Sequence, residues 1–98
     1  MVRVTLPYHL RNLAKVDGEV QVELPGQPTP RAIIDALETR FPALRGTIRD
    51  HVTRDRRAYL RYFCCGQDIS FQPADQPLPD AVAAGKEPFM VVGAISGG

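Results

Sequence analysis

Two cysteines and two histidines are the side chains best suited to metal or redox chemistry, and their spacing favours no shared site. Cys64 and Cys65 are adjacent in an apolar stretch of β type. Because neighbouring strand residues point to opposite faces, we expect the two thiols to diverge, which disfavours both a structural disulfide and a joint metal site. His9 and His51 have no metal-ligand spacing to each other or to the cysteines. The sequence therefore predicts no metal centre, and its cysteine usage fits a reducing compartment.

Carboxylates and glycines show no catalytic pattern either. The aspartates Asp17, Asp35, Asp68 and Asp80 are predicted at turns, caps or helix faces, and no pair has the spacing expected for general acid–base catalysis. The eight glycines are scattered rather than gathered in a phosphate-binding loop. We therefore expect this chain to bind no cofactor.

The sequence ends on Gly97 and Gly98, two residues without a side chain that follow an apolar run. A disordered stub is the simplest interpretation. A reactive carboxylate on Gly98 is instead what the family resemblance given below implies; such a carboxylate is a poor electrophile until one of its oxygens becomes a leaving group. Residues without a Cβ can thread a narrow channel in a partner and leave the attacked carbonyl unhindered. Four extended residues from Ile95 reach about 13 Å, enough to enter such a channel.

The composition indicates a small single-domain protein and excludes several classes of partner. Its 98 residues are 44% hydrophobic with a formal net charge of +1, which suits one compact domain. The basic stretch "RDHVTRDRR", residues 49–57, is interrupted by Asp50 and Asp55 and predicts a solvated segment. Neither nucleic acid nor an anionic membrane is an expected partner, since both require a clustered positive field. No apolar segment approaches the ~20 residues of a membrane span, and no signal peptide is indicated, so we expect a cytoplasmic protein.

Alternating hydrophobicity in the N-terminal region predicts a hairpin. Apolar residues alternate with polar ones in "VRVTL", residues 2–6, and again in "EVQVEL", residues 19–24. Two such stretches around a loop of roughly a dozen residues favour antiparallel pairing.

The main helix is predicted next. Thr29 followed by Pro30 is typical of an N-cap and a first helical residue, and Pro42 ends or kinks the helix. Its apolar stripe comprises Ile33, Ile34, Leu37, Phe41 and Leu44. A short second helix through Leu44, Ile48 and Val52 is an open alternative to a loop.

The stretch "RAYLRYFCC", residues 57–65, predicts an aromatic strand, followed by a turn at Gly66-Gln67 and a short return strand "DISF". One face of this strand, pointing to the helix, would hold Leu60, Tyr62 and Cys64. The outward face would then hold Tyr59, Arg61, Phe63 and Cys65. Exposed Tyr59 and Phe63 would be a partner-binding signal on an open sheet face. The inverted assignment, with both aromatics in the core, is the alternative, and it is disfavoured because Arg61 requires water.

The C-terminal part predicts a surface excursion and a last strand. "QPADQPLPDAVAAGKEP", residues 72–88, is rich in proline and shows no alternation. "FMVVGAI", residues 89–95, is a continuous apolar run, typical of a strand that is covered on both sides or paired centrally. The order of elements predicts an α+β domain in which one main helix covers one face of one sheet.

These features together resemble the MoaD/ThiS family of ubiquitin-like β-grasp sulfur carriers, which includes the small subunit of molybdopterin synthase and the thiamine-biosynthesis sulfur carrier. The resemblance rests on the order of elements, the helix exit "FPAL", the Gly-Gln turn with its "DIS" return, "LPD" before the last strand, and the terminal Gly97-Gly98. It covers the whole chain, and the Gly-Gly end is its one specific motif.

The resemblance implies a mixed sheet of four to five strands in a β-grasp domain over residues 1–95, with a flexible tail at 96–98. It implies that a MoeB/ThiF-like adenylating enzyme uses ATP to convert the Gly98 carboxylate to an acyl-adenylate. A sulfur donor then displaces AMP and leaves a thiocarboxylate. The sulfur passes to a downstream synthase, such as the large subunit of molybdopterin synthase or a thiazole synthase. Ile95 and Ser96 would lead Gly97 and Gly98 into the partner, and the chain itself would be a protein substrate rather than an enzyme.

Two other functions fit the same end: a ubiquitin-like modifier joined through Gly98 to lysines, and a β-grasp interaction module without chemistry. The segment "AVAAGKEP", residues 81–88, is longer than the tight turn usual in molybdopterin carriers, and Cys64-Cys65 is unusual in that strand. An outward Cys65 as a second sulfur-handling thiol is a further, weaker alternative. The receiving pathway is left open by these departures.

Overall fold

The computed structural model describes residues 1–93, which form one sheet, three α-helices and a 3₁₀ turn. The strands are β1 (Val2–Thr5), β2 (Val20–Val22), β3 (Leu60–Cys64), β4 (Gln67–Asp68) and β5 (Phe89–Gly93). The helices are α1 (Tyr8–Ala14), α2 (Pro30–Arg40) and α3 (Asp80–Ala83), and the 3₁₀ turn is Pro42–Leu44. The predicted mixed sheet with one main helix is confirmed, and the shorter helices are additions to it.

The five strands are ordered β2-β1-β5-β3-β4, so the last strand in sequence is the central one in space. β5 runs parallel to β1 and antiparallel to β3, while the outer pairs β1–β2 and β3–β4 are antiparallel. The predicted N-terminal hairpin is therefore present. Central pairing explains the apolar run of β5, although burial alternates along it, with Phe89 and Val91 buried and Met90 exposed.

Helix α2 covers one face of this sheet because its apolar stripe matches the helical period. The Thr29 hydroxyl caps the helix by accepting a hydrogen bond from the Ala32 N–H at 3.1 Å, and Pro30 is its first residue, as predicted. Ile33, Ile34 and Leu37 are buried against inward residues of the strands. Phe89 on β5 and Tyr62 on β3 are tilted against each other beneath the helix, with ring centroids 5.2 Å apart.

Helix α1 is the element that the alternating pattern did not predict. The stretch between the first two strands was expected to be a loop, but Pro7 starts a helix there that buries Leu10 completely. Lys15 ends it in the left-handed conformation, with φ 59°. The helix has two turns only, which is too short for a clear periodic signal in sequence.

The segment after α2 is a compact loop rather than a second helix. Ile48 is buried, whereas Val52 is 83% exposed, so the two residues do not share an apolar face. Arg49 corrects the prediction of a fully solvated basic stretch, because its side chain is only 5% exposed. Its guanidinium donates to the carboxylates of Glu38 and Asp35 on α2 and fixes the loop to the helix.

Two further predictions are corrected near the end of the chain. The tight turn after β3 lies at Cys65-Gly66 rather than at the predicted Gly66-Gln67. Cys65 and Gly66 both have positive φ, 51° and 76°. The predicted surface excursion contains α3 and contributes Leu78 and Val82 to the core. Its prolines hide this contribution, because they break the periodicity on which the prediction relied.

Candidate functional site

The described chain stops at Gly93, the last residue of the central strand, which lies opposite Leu60 on β3. Gly97, Gly98, Ile95 and Ser96, as well as the predicted boundary between residues 95 and 96, lie outside the described residues. The structure thus defines the end of the sheet from which the chain continues towards Gly98. Because β1 and β5 are parallel, helix α1 begins at this same end.

Tyr59 lies beside this end of the sheet, in the turn that precedes β3. Sequence alternation placed it within the strand, but the strand begins one residue later, at Leu60. Its side chain is 45% exposed, and its hydroxyl donates to the Thr47 carbonyl at 3.3 Å. The aromatic ring is therefore accessible while its polar atom is tied to the loop after α2.

Phe63 lies on the open face of the sheet, opposite to the face covered by α2. Along β3 the residues Leu60, Tyr62 and Cys64 are buried, whereas Arg61 and Phe63 are half-buried. Phe63 is paired with Met90 on β5, and Arg61 with Val92. Phe63 and Tyr59 are thus not brought together as one exposed pair on a strand, since Tyr59 belongs to the turn.

The open face also carries two ion pairs at its sides. Arg61 donates to Asp68 on β4 at 3.1 Å, and Arg3 on β1 forms a bidentate pair with Glu19 at 2.8 and 3.0 Å. Hydrogen bonds from Ser70 and, after them, from Arg61 hold the pKa of Asp68 below its ordinary value. The hydrogen bond from Arg3 does the same for the pKa of Glu19. Both carboxylates therefore stay ionised into mildly acidic conditions.

Phe71 is the exposed aromatic residue that sequence reasoning missed. Its side chain is 79% exposed, and the guanidinium carbons of Arg56 and Arg61 lie 5.0 and 5.2 Å from its ring centroid. In a strand that spanned all of "DISF", Phe71 would lie on the same side as the buried Ile69. The strand ends early, however, because the Ser70 hydroxyl accepts from the Tyr62 N–H at 2.8 Å in place of a backbone carbonyl.

The two cysteines are both free thiols with unlike surroundings. Cys64 is buried at the end of β3, and this burial, together with the neighbouring Cys65 thiol, raises its pKa. Cys65 is exposed, but as a turn residue it does not belong to the outward face of the strand. The simple strand alternation used to separate the two thiols therefore does not apply to Cys65.

A polar groove of about 510 Å³ lies between the start of α2 and the loop that carries Arg49. Most of its charges are paired within the fold, as Arg49 is with Glu38 at 2.9 Å and Arg31 with Asp75 at 3.9 Å. Burial raises the pKa of Tyr62, which borders the groove, to about 12, so its phenol stays protonated. No group of three or more metal-ligating side chains occurs within residues 1–93. No helix in that same range is long and apolar enough to cross a membrane.

Comparisons with known proteins point to the fold through structure alone, since no family model and no curated protein matches the sequence. SAMP1 from Haloferax volcanii is similar with a TM-score of 0.75 and 20% identity over 99% of this chain and 98% of that one. A chain in the BexX/CysO complex of Amycolatopsis orientalis is similar with a TM-score of 0.77 and 19% identity over 100% of both. A second structure of the H. volcanii protein, described as small archaeal modifier protein 1, gives 0.74 and 15%, over 96% and 97%.

These likenesses extend over nearly the full length of both chains, so they concern the whole architecture rather than a shared hairpin or helix. The five-stranded mixed sheet, with its last strand in the centre and α2 across one face, agrees with them. The chain therefore has the ubiquitin-like β-grasp fold.

Proposed function

We propose that this protein is a sulfur carrier of the MoaD/ThiS kind, whose Gly98 carboxylate is converted to a thiocarboxylate. The observation that carries the proposal is the course of the chain: the central strand β5 ends five residues before a Gly97-Gly98 terminus, in a fold shared over its full length with CysO-complex and small-modifier structures. A central strand is held by a neighbour on each side, so it offers a firm base for a segment that enters another protein.

The chemistry acts on the main chain of Gly98. A carboxylate oxygen attacks the α-phosphorus of ATP on a MoeB/ThiF-like adenylating enzyme, and pyrophosphate leaves. A sulfur donor at the sulfide level, such as hydrosulfide, then attacks the acyl carbon, AMP leaves, and loss of the S–H proton gives the thiocarboxylate. This order follows because the free carboxylate lacks a leaving group. A downstream synthase, such as a molybdopterin synthase large subunit or a thiazole synthase, would receive the sulfur.

The side chains of this protein would then act in recognition rather than in catalysis. Tyr59 lies beside the end of the sheet that leads to Gly98, and Phe63 lies on the open face with Met90. Both are accessible and apolar, which suits contact with a partner. Ile95 and Ser96 would contact the entrance of the partner's channel, and Gly97 would pass through it.

A ubiquitin-like modifier is the second candidate function. It is favoured by the likeness to a protein described as small archaeal modifier protein 1. The first step is the same adenylation, and the functions diverge in the nucleophile that displaces AMP: a sulfur donor in one case, a lysine amine in the other. An interaction module without chemistry is the third candidate.

Intact-mass measurement, together with a denaturing gel of cell extracts, tests the three candidates. The purified chain is incubated with ATP, a sulfur donor and the ubiquitin-activating-type enzyme of the same organism. Replacement of one oxygen by sulfur supports the carrier, and conjugates on a denaturing gel in extracts of the same cells support the modifier. An unchanged mass and an absence of conjugates would contradict both. A chain lacking Gly98 is the control and should remain unmodified.

A further inference from the structure

Phe71 combines high exposure with a fixed setting. It is the most exposed aromatic side chain within residues 1–93, and two guanidiniums lie against its ring. An exposed Phe costs free energy in water, and contact with arginine orients the ring without covering it. Aromatic and arginine side chains together are the typical centres of protein interfaces.

The two arginines are held in place by the fold. Arg56 donates to the carbonyls of Ser70, Arg57 and Leu60 at 3.2, 3.1 and 2.6 Å. No carboxylate within residues 1–93 lies at ion-pair distance from Arg56, whereas Arg61 is paired with Asp68 at 3.1 Å. The ring is thus flanked by two cations and one carboxylate, which leaves a net positive charge beside an apolar surface.

Phe71, Arg56 and Arg61 together form a surface patch that is close to the end of the sheet that leads to Gly98. Arg61 is paired with Val92, one residue before Gly93, and adjacent strands are about 4.8 Å apart. The ring of Phe71 stands 5.2 Å from the Arg61 guanidinium, which also contacts Asp68 on β4, so Phe71 lies on the β4 side of β3. Arg61 also shares the open face with Phe63, so the patch continues the apolar surface that Phe63 and Met90 form.

We propose that Phe71, Arg56 and Arg61 form a docking anchor for the adenylating enzyme that binds the Gly98 end, and that this enzyme presents an apolar pocket rimmed by carboxylates. The identity of this partner rests on the proposed function. The apolar and positive character of the anchor does not depend on it. Because Arg56 has no carboxylate partner within residues 1–93, carboxylates at the rim of the partner's pocket would complement its charge. The exposed ring of Phe71 would enter the pocket itself. Single-stranded nucleic acid also stacks on Phe and Arg, but it requires a continuous positive groove. Here Asp68 is paired with Arg61, which leaves Arg56 as a single cation beside the ring rather than a continuous positive groove.

Binding of the purified adenylating enzyme, measured by titration calorimetry at two salt concentrations, tests the anchor. Phe71→Ala should weaken binding about 10- to 100-fold, as expected for loss of an interface anchor. Arg61→Gln should weaken it less and should reduce its dependence on salt. Val52→Ala is the control: Val52 is also an exposed apolar side chain, and it lies in the loop that Arg49 fixes to α2. Circular dichroism of each variant verifies the fold.

A chain that lacks Gly97 and Gly98 separates the anchor from the sulfur chemistry. The anchor predicts that Phe71→Ala weakens binding of this shortened chain as well, even if the full chain never acquires sulfur. If Phe71→Ala binds within twofold of the unmodified protein, or if the enzyme does not bind at all, the anchor is wrong. Binding of single-stranded oligonucleotides that is lost in Phe71→Ala would also overturn it, in favour of a nucleic-acid surface.

Discussion

The two faces of the sheet use the same strands for opposite purposes. On the face covered by α2, Phe89 and Leu60 are fully buried. Side chains there are closely packed, so a change in the volume of one affects its neighbours. On the open face, Met90 and Phe63 are partly accessible, and arginines lie where a second layer of helices would otherwise pack. The covered face therefore holds the core that stabilises the protein, and we propose that the open face serves recognition.

Substitutions at adjacent residues of β5 test this division most strongly. Phe89→Ala should destabilise the protein by about 3–5 kcal/mol, because it removes a buried ring and leaves a cavity next to Tyr62. Met90→Ala, one residue further on the open face, should cost less than about 1 kcal/mol. Urea unfolding followed by circular dichroism gives both values. Equal losses at the two positions would contradict the assignment of faces.

Arg49 and Arg54 contact the same two carboxylates on α2, but only Arg49 is buried. Substituting each of them compares a buried contact with an exposed one. Arg49→Ala should cost about 2–4 kcal/mol, since it leaves the part-buried Glu38 without its nearest partner and removes buried packing. Arg54→Ala should cost less than about 1 kcal/mol, because Arg54 is exposed and 3.8 Å from the same groups. Thermal unfolding checks both. A small effect at Arg49 would show that the loop is not fixed by this contact.

Phe63→Glu examines the open face directly. We expect a loss of stability near 1 kcal/mol, because the side chain is only half-buried, together with at least tenfold weaker binding of the adenylating enzyme. Phe63→Leu is the matched variant and should retain most of the binding. Severe unfolding of the glutamate variant would mean that Phe63 belongs to the core.

The Arg3–Glu19 pair at the side of the open face should have the smallest effect, visible only with pH. The pKa of Glu19 is lowered in the folded state, so its contribution to stability is present above the ordinary value of 4.5 and is lost as the pH falls through the folded value. Melting temperatures measured between pH 6 and 3 should therefore fall slightly less in Glu19→Gln than in the unmodified protein. A steeper fall in the variant would give the wrong sign for this pair.

Much of the covered face was predictable from the sequence, because burial imposes periodicity. The alternation in β1, β2 and β3 and the stripe on α2 follow from one-sided packing, and Thr29 with Pro30 marked the helix start. Helix α1 escaped prediction because two turns provide little periodicity. Leu78 and Val82 escaped it because prolines interrupt their pattern.

The open face was less predictable, because its residues depend on contacts between distant segments. Phe63 follows from strand alternation, but the exposure of Phe71 depends on Ser70 replacing a backbone partner of Tyr62. The burial of Arg49 depends on two carboxylates that lie on α2, 11 and 14 residues earlier in the sequence. Neither contact leaves a local signature in the sequence.

We propose that sulfur is carried by the main-chain carboxylate of Gly98 and by no side chain. Fragmentation mass spectrometry of the protein after incubation with ATP, the adenylating enzyme and a sulfur donor locates the sulfur along the chain. The variant in which Cys64 and Cys65 are both serine supplies the control. We predict sulfur on the C-terminal fragment of both proteins in equal yield. Sulfur located on Cys65, and lost from the double variant, would contradict this account.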